Sequence, residues 1–197
     1  MPLLFAKIVF IAGTVAYIIM RAVFVRGFAR MHVVKVERAR TEKALLVAVS
    51  IGTLLVPVLY IATPLFSFAD YAASSWMAYV GAILWAIALA IFWKSHKDLG
   101  REWSVALALK EDHRLITTGI YRRVRHPMYL SIWGFVIAQT LLLPNWIAGP
   151  SGLVTFSVLY FSRIAAEERM LHNHFGCAYD VYCQTTGRLL PKADTHL

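Results

Sequence analysis

Ionisable side chains that suit acid and ion-pair chemistry gather in two parts of this 197-residue chain. Residues 94–125 lead up to His126 and Tyr129, and a second group begins with Arg163 and Glu167. Because Arg163 and Glu167 are four positions apart, they share one face of a helix. A guanidinium can hold a carboxylate through two parallel hydrogen bonds, so the pair indicates a site for charged groups. Spacing alone leaves a structural ion pair equally open.

The segment before Pro127 has the features of a turn followed by a helix start. Gly119 permits a tight turn, and Pro127 fits the first helical turn, where its missing N–H is not needed. The free N–H groups of such a helix start favour an anionic ligand such as a carboxylate. The same residues also fit a plain membrane anchor, with three arginines near the interface and His126 as a helix cap. Physical chemistry alone favours the anchor.

Metal and nucleotide sites are not indicated by the other motifs. Glu168 and His172 stand at i and i+4, but no second pair at ligand spacing accompanies them, and His-Glu-x-x-His is missing. Cys177 and Cys183 are six residues apart, which is neither a metal nor a redox spacing. The sequence also lacks Gly-x-Gly-x-x-Gly and the P-loop. We therefore predict no metal and no Rossmann-type cofactor site.

Long uncharged stretches must position these residues, and they predict a membrane protein. The chain is 59% hydrophobic with a mean hydropathy of +0.60, and residues 44–69 and 71–93 contain no charge. Each stretch is long enough for one crossing, which takes about 20 residues. Residues 2–20 carry Lys7 alone, and a lysine near a helix end can extend to the interface. Arg21 and the arginines after it disfavour a cleaved signal peptide.

Residues 127–162 form a 36-residue uncharged stretch, which is too long for a single crossing. Leu143-Pro144-Asn145 has turn chemistry, so we predict a helical hairpin with arms at 128–143 and 146–162. At about 1.5 Å per residue the arms reach roughly 24–26 Å, slightly less than a hydrocarbon core of about 30 Å. A hairpin returns both of its ends to one side, so the two polar segments should emerge together.

The formal net charge of +9 is concentrated in three segments. Seven Lys/Arg lie in residues 21–43, eight in 94–125 and four from Arg163 onward, whereas the connection between the second and third spans carries Asp70 alone. The positive-inside rule places the basic segments in the cytosol, so the N-terminus is predicted outside and the C-terminus cytosolic. Topology and anionic lipid headgroups thus explain the basic charge, and nucleic-acid binding is disfavoured.

The predicted fold class is all-α. We expect a polytopic membrane protein with about five transmembrane helices, the last two a hairpin, plus a cytosolic segment and a C-terminal helix. Residues 1–93 are predicted to hold three spans with a basic cytosolic loop, and residues 94–197 the cytosolic connector, hairpin and tail that carry the chemistry.

Residues 94–191 resemble the isoprenylcysteine carboxyl methyltransferase family, which belongs to a wider group that includes phospholipid N-methyltransferases. The resemblance rests on DHRLITTGIYRRVRHPMY, then a hydrophobic hairpin, then EERML-HNHFG-CAYDVYCQTTGRLLP. The short chain looks more like prokaryotic members than the longer eukaryotic ones. The resemblance implies the cell (inner) membrane for a prokaryotic source and the endoplasmic reticulum for a eukaryotic one.

The resemblance also implies a cofactor, S-adenosyl-L-methionine, with S-adenosylhomocysteine as product. Arg163 would bind the substrate and Glu167 would lie on the cofactor side, both as catalytic residues. Ile116 and Met128 depart conservatively from the family pattern, whereas Ala106 replaces a cofactor-binding Gln of eukaryotic members. The residues that the family pattern assigns to the cofactor are His113, Arg114, Leu115, Ile116, Tyr121, His126, Pro127, Met128, Tyr129 and Glu167.

These implications predict carboxyl O-methylation of isoprenylcysteine or a similar lipophilic carboxylate. The expected partners are the lipid bilayer and an acceptor that enters from it, with no nucleic acid and no obligatory protein partner. Three alternatives stay open: a phospholipid N- or thiol S-methyltransferase, a sterol-reductase-like oxidoreductase, and a non-enzymatic membrane adaptor. An amine acceptor is mildly disfavoured by the substrate-facing Arg163.

Overall fold

The structure is a computed structural model that describes residues 2–28, 39–100 and 114–192. Over these ranges it is helical, with 3-10 turns at Ser67–Ala69 and Gly119–Arg122 and a π-helical turn at Ile51–Leu55. The α-helices of these ranges are α1 Pro2–Phe28, α2 Ala39–Ser50, α3 Val56–Ala62, α4 Ser75–Leu99, α5 Pro127–Leu142, α6 Ser151–Phe175 and α7 Cys177–Thr185.

Three segments of the described residues are long and apolar enough to cross a membrane: Leu3–Phe24, Arg40–Ala62 and Ser75–Leu99. Helix α5 is also apolar but has 16 residues, which makes it shorter than an ordinary span. The all-α class and the multi-pass membrane protein are confirmed at this level. That the chain crosses the membrane five times stays a prediction, because α5 and α6 are not among the segments that are long and apolar enough to cross.

An aromatic core fixes α1, α4 and α5 against one another. Trp85 and Phe92 of α4 are buried and contact Phe135 of α5, and Phe10 of α1 packs edge-on against Trp85. Large apolar side chains elsewhere on these helices point outward, as Ile83 does. A bundle that presents large apolar side chains on its outer surface is suited to a lipid environment.

The second predicted span is one helical segment interrupted by the π-helical turn at Ile51–Leu55. A π turn leaves a carbonyl without its normal helical donor. Gly52 O accepts hydrogen bonds from Gln139 Nε2 of α5 at 3.0 Å and from Ser151 Oγ of α6 at 2.7 Å. A side chain at Gly52 would lie 2.4 Å from Thr155 Oγ1, so glycine permits this close approach of α2 to α6.

The hairpin is present, but its second arm begins at Ser151 rather than at the predicted residue 146. Asn145 Oδ1 accepts hydrogen bonds from the backbone N–H groups of Ile147 and Ala148, which holds residues 143–150 as a turn. Asn145 Nδ2 also donates to Phe66 O at 2.7 Å and to Asp70 Oδ1 at 2.8 Å. The connection between α3 and α4 and the hairpin turn are therefore joined at the same end of the bundle.

Candidate active site

The opposite end of the bundle gathers the polar residues of α5, α6 and the tail. Helix α5 starts there with Pro127, and Arg125 and His126 precede it outside any helix. Arg125 N donates to Gly187 O at 2.8 Å and His126 N donates to Arg188 O at 3.0 Å. The backbone of the tail thus lies against the segment that enters α5, and this pairing fixes the position of His126.

Arg163 and Glu167 form the inner ion pair of this site. Arg163 Nε lies 3.6 Å from Glu167 Oε2, as expected for residues one helical turn apart in α6. Tyr129 Oη of α5 donates to the same Glu167 oxygen at 2.5 Å. His126 Nδ1 lies 3.7 Å from Glu167 Oε1. The carboxylate of Glu167 is therefore held by residues from both arms of the hairpin.

Arg163 also contacts a carboxylate from a distant part of the chain. Arg163 Nη1 lies 3.2 Å from Glu42 Oε1, and Glu42 belongs to the first turn of α2. The side chains are 14% and 11% exposed, respectively, so the contact is largely removed from solvent. The guanidinium of Arg163 thus lies between two carboxylates, Glu42 and Glu167.

Glu168 forms a second, outer cluster although it is adjacent to Glu167 in sequence. Its carboxylate accepts hydrogen bonds from Arg125 Nη2 at 3.2 Å and from Arg188 Nε at 3.0 Å, and a second contact joins it to Arg188 Nη2. His126 Nε2 lies 3.4 Å from Glu168 Oε1. Burial raises the pKa of Glu168, but His126 and Arg188 outweigh that effect and lower the pKa to about 2. Glu168 is therefore ionised at neutral pH and joins α6 to the tail.

Tyr121 is held beside the site by α4 and α7. Gly119 adopts a φ of +62°, which glycine tolerates, and Ile120 N then donates to Asp98 Oδ2 at 2.7 Å. Tyr121 Oη donates to Ser95 O at 3.4 Å, and Tyr121 O accepts a hydrogen bond from Tyr182 Oη at 2.6 Å. Burial raises the pKa of the Tyr121 hydroxyl, so it is a neutral hydrogen-bonding group at this position.

The predicted site residues fall into three groups. The structure brings His126, Pro127, Tyr129, Arg163 and Glu167 together at the junction of α5 and α6. The segment 114–116 and Tyr121 lead up to that junction, and Met128 packs against the aromatic core on the other side of α5. His113 and Ala106 lie outside the described residues.

Two contacts of the site were not foreseen from the sequence, that of Glu42 with Arg163 and that of Glu168 with Arg188. Glu42 carries a weak signal, since it is an acid at the edge of an uncharged span in a basic segment. Arg188 and Glu168 meet through a fold-dependent contact across 20 residues, for which spacing gives no signal. The metal alternative pairs Glu168 with His172, but Glu168 faces the arginines, and His172 Nε2 lies 3.1 Å from Asp180 Oδ1.

Comparison with known families identifies the region that contains this site. Residues 81–173 match the family model described as the isoprenylcysteine carboxyl methyltransferase (ICMT) family. That region is therefore similar to this family. The match confirms the resemblance seen in the sequence, and it includes both arms of the hairpin together with Tyr129, Arg163 and Glu167.

Curated relatives carry names from the same family. A probable protein-S-isoprenylcysteine O-methyltransferase of Oryza sativa subsp. indica is 31% identical over 121 residues, which are 58% of this chain and 61% of the relative. The protein-S-isoprenylcysteine O-methyltransferase of Saccharomyces cerevisiae is 37% identical over 86 residues, 42% of this chain and 34% of the relative. The Schizosaccharomyces pombe enzyme is 33% identical over 85 residues, 42% and 36% of the two chains. The matched part thus spans between about a third and three fifths of these relatives.

A solved structure has a similar fold. It is described as the eukaryotic intramembrane Ras methyltransferase ICMT, and it matches with a TM-score of 0.54 at 23% identity. The match covers 75% of this chain and 50% of the solved chain. The arrangement of membrane helices is therefore shared with an intramembrane methyltransferase.

Proposed function

We propose that this chain is an integral membrane methyltransferase that uses S-adenosyl-L-methionine to methylate the carboxyl oxygen of isoprenylcysteine or a similar lipophilic carboxylate. The observation that carries the proposal is the Arg163–Glu167 pair, held by Tyr129, inside the region that matches the family. The names of the relatives support a prenylated cysteine as the acceptor.

The described residues fit such a cofactor by charge. The Glu167 side chain keeps 23% of its surface exposed beside the buried His126, which suits a positively charged ligand group. The start of α5 suits the cofactor's carboxylate, because first-turn N–H groups have no acceptors within their own helix. S-adenosylmethionine, when bound, supplies a methyl group on a positively charged sulfur. The residues proposed to hold it are His113, Arg114, Leu115, Ile116, Tyr121, His126, Pro127, Met128, Tyr129 and Glu167.

Each inner residue then has a role in the reaction. Arg163 binds the acceptor carboxylate through its guanidinium, and Glu167 orients Arg163 while it attracts the cationic cofactor. Tyr129 fixes the Glu167 carboxylate. A carboxylate acceptor is already ionised at neutral pH, so no residue has to remove a proton. The site mainly aligns two reactants, and the burial of His126 and Tyr129 indicates that little water reaches it.

The proposed orientation follows the basic segments. The ends of α4 and α6 and the start of α5 meet at the site, and basic residues flank each of them. The positive-inside rule therefore supports a cytosolic site with a cytosolic C-terminus and an external N-terminus. The inner membrane of a prokaryote is the proposed location if the source is prokaryotic, and the endoplasmic reticulum if it is eukaryotic.

The direct test follows a labelled methyl group from S-adenosylmethionine. Purified protein in detergent is given an N-acylated S-prenylcysteine, a phosphatidylethanolamine or a small thiol, and the products are identified. We expect a base-labile methyl ester from the prenylcysteine. A methylated amine or thiol would replace the proposed acceptor. Binding of NADPH instead of S-adenosylhomocysteine in a calorimetric titration would indicate an oxidoreductase, and binding of neither would indicate an adaptor.

Tyr129 offers a sharper test of the site. In Tyr129→Phe the ring remains, but the hydroxyl that donates to Glu167 Oε2 at 2.5 Å is lost. We expect kcat/KM to fall by about 10-fold or more, the usual effect of a lost hydrogen bond to a charged group. Tyr160→Phe is the matched control, since Tyr160 packs edge-on against Tyr129 with ring centroids 5.4 Å apart. Equal activities for the two variants would contradict the role given to Glu167.

A further inference from the structure

The position of Glu42 bears on how Arg163 selects its acceptor. Glu42 is part of α2, whereas Arg163 and Glu167 are part of α6, and Glu42 Oε1 lies 3.2 Å from Arg163 Nη1. A largely buried carboxylate is costly unless a positive group compensates it. Arg163 supplies that compensation, so Glu42 uses part of the binding capacity of the guanidinium.

The charges of the inner site work against a third carboxylate. Arg163 contributes one positive charge, and Glu42 and Glu167 contribute two negative charges. An acceptor carboxylate that approaches Arg163 meets both acids within a few ångströms, and like charges repel strongly in a partly buried site. An acid that stays on the guanidinium therefore opposes binding of the acceptor in the proposed way.

Glu42 and Glu167 reach Arg163 from different helices. Glu167 is on the same helix as Arg163, and Tyr129 and His126 hold it from α5. Glu42 reaches Arg163 from the first turn of a different helix, so a rotation of its side chain or a shift of α2 separates the pair. We propose that Glu42 is a specificity-determining residue that occupies, on Arg163, the position taken by the carboxylate of the acceptor. This inference rests on the proposed function.

In this position on Arg163, Glu42 favours acceptors that reach a high local concentration at the site. Glu42 is attached to the same chain, so it competes for Arg163 at a high effective concentration. A dilute carboxylate dissolved in water displaces it poorly. A carboxylate with a lipid chain is concentrated in the bilayer next to α2 and α6, and the burial of its chain adds to its affinity. Glu42 therefore excludes small soluble acids and admits lipid-anchored ones.

The experiment measures kcat and KM for an N-acylated S-prenylcysteine, and inhibition by butyrate, with the full chain in detergent. Glu42→Gln keeps the shape of the side chain and removes its charge. We expect KM for the acceptor to fall by roughly 10-fold and butyrate to become a competitive inhibitor, while kcat changes by less than about 2-fold. Asp180→Asn is the control, because Asp180 pairs with His172 on the surface and not with Arg163. It should leave both constants and the butyrate response as they are.

Different failures give different results. An unchanged KM with no inhibition by butyrate, or a fall in kcat with a raised KM, would overturn the inference, and the second result would make Glu42 a residue that orients Arg163. Calorimetric binding of S-adenosylhomocysteine confirms that each variant is folded. If Glu42→Gln does not fold, Glu42→Ala replaces it, because it also removes the carboxylate, and a lower KM for the acceptor is again required. A wild-type chain that binds S-adenosylhomocysteine but does not methylate the prenylcysteine would instead refute the proposed acceptor.

Discussion

Glu167 and Glu168 are adjacent in α6, but their carboxylates have different partners. Glu167 faces Arg163 and Tyr129 inside the site, whereas Glu168 faces Arg125 and Arg188 and thereby holds the tail. Successive residues of a helix point about 100° apart, so neighbours reach different partners without any bend in the backbone. The helix thus separates the residue that is proposed to meet the cofactor from the residue that joins α6 to the tail.

Glu168 gives the fold a pH dependence. Its pKa falls from an ordinary value of 4.5 to about 2, so Glu168 stabilises the folded protein above pH 4.5, and this contribution is lost as the pH falls toward 2. We expect Glu168→Gln to lower the unfolding temperature by several degrees at pH 7. The difference from wild type should narrow progressively below pH 4.5.

Thermal unfolding of the detergent-purified proteins between pH 7 and pH 3 measures this difference. Asp180→Asn removes a carboxylate from a half-exposed ion pair and should change the unfolding temperature little, because exposed pairs contribute little. If the difference in unfolding temperature between wild type and Glu168→Gln stays constant from pH 7 to pH 3, Glu168 is not held by its arginines.

The inner ion pair was accessible to prediction because it is local. Arg163 and Glu167 are one turn apart, and helical geometry alone puts them on one face. The contact between Arg163 and Glu42 joins residues 121 positions apart, so it depends on how α2 packs against α6. Charge and spacing along a single sequence hold no information about that packing.

At the scale of elements, the π-helical turn in the second span links three helices. Gly52 O accepts hydrogen bonds from Gln139 of α5 and Ser151 of α6, and Gln139 Nε2 also donates to Ala148 O at 2.9 Å. In a hydrocarbon environment a carbonyl released from its helix needs such partners. Gln139 is therefore a structural polar residue in an apolar helix.

Gln139→Leu removes the amide and leaves Ser151 Oγ as the remaining side-chain donor to Gly52 O among the described residues. We expect the free energy of unfolding to fall by about 1–3 kcal/mol, the cost of leaving a buried acceptor poorly satisfied. Ser157→Ala is the control, since Ser157 Oγ donates to Leu153 O of its own helix. Denaturant or thermal unfolding in one detergent compares the variants. Equal losses for both would contradict the structural role of Gln139.

The helices were predicted well, and their interruptions were not. Runs of uncharged residues indicated α1, α4 and both arms of the hairpin, because a span must be apolar over about 20 residues. Nothing in residues 44–69 predicts the π turn at Ile51–Leu55, because a glycine such as Gly52 also occurs in ordinary helices. The late start of α6 at Ser151 depends on Asn145, whose partners lie near residue 70.

At the scale of the whole molecule, the two native cysteines report on orientation. Cys177 is exposed at the start of α7, beyond the site end of α6, and Cys183 is half-buried. In Cys183→Ser, Cys177 is the remaining thiol of the chain. We expect a membrane-impermeant maleimide to label Cys177 after the cells are opened and not before, because the C-terminal part is proposed to be cytosolic.

Phe68→Cys, made in a chain without the two native cysteines, is a control for which the opposite labelling result is expected. Phe68 is exposed in the connection between α3 and α4, at the other end of the bundle. Its thiol should react in intact cells. Labelling of Cys177 in intact cells and protection of the thiol at position 68 would reverse the proposed topology.

The hydrogen bonds of Asn145 have a consequence for motion. They join the hairpin turn to the connection between α3 and α4. The hydrogen bonds to Gly52 O join the second span to the hairpin, at a position between the hairpin turn and the site. Helices joined at one end separate most easily at the other, so the fold provides a fixed pivot. A small rotation about that pivot would separate α2 from α6 beside Arg163, where Glu42 and Arg163 are in contact.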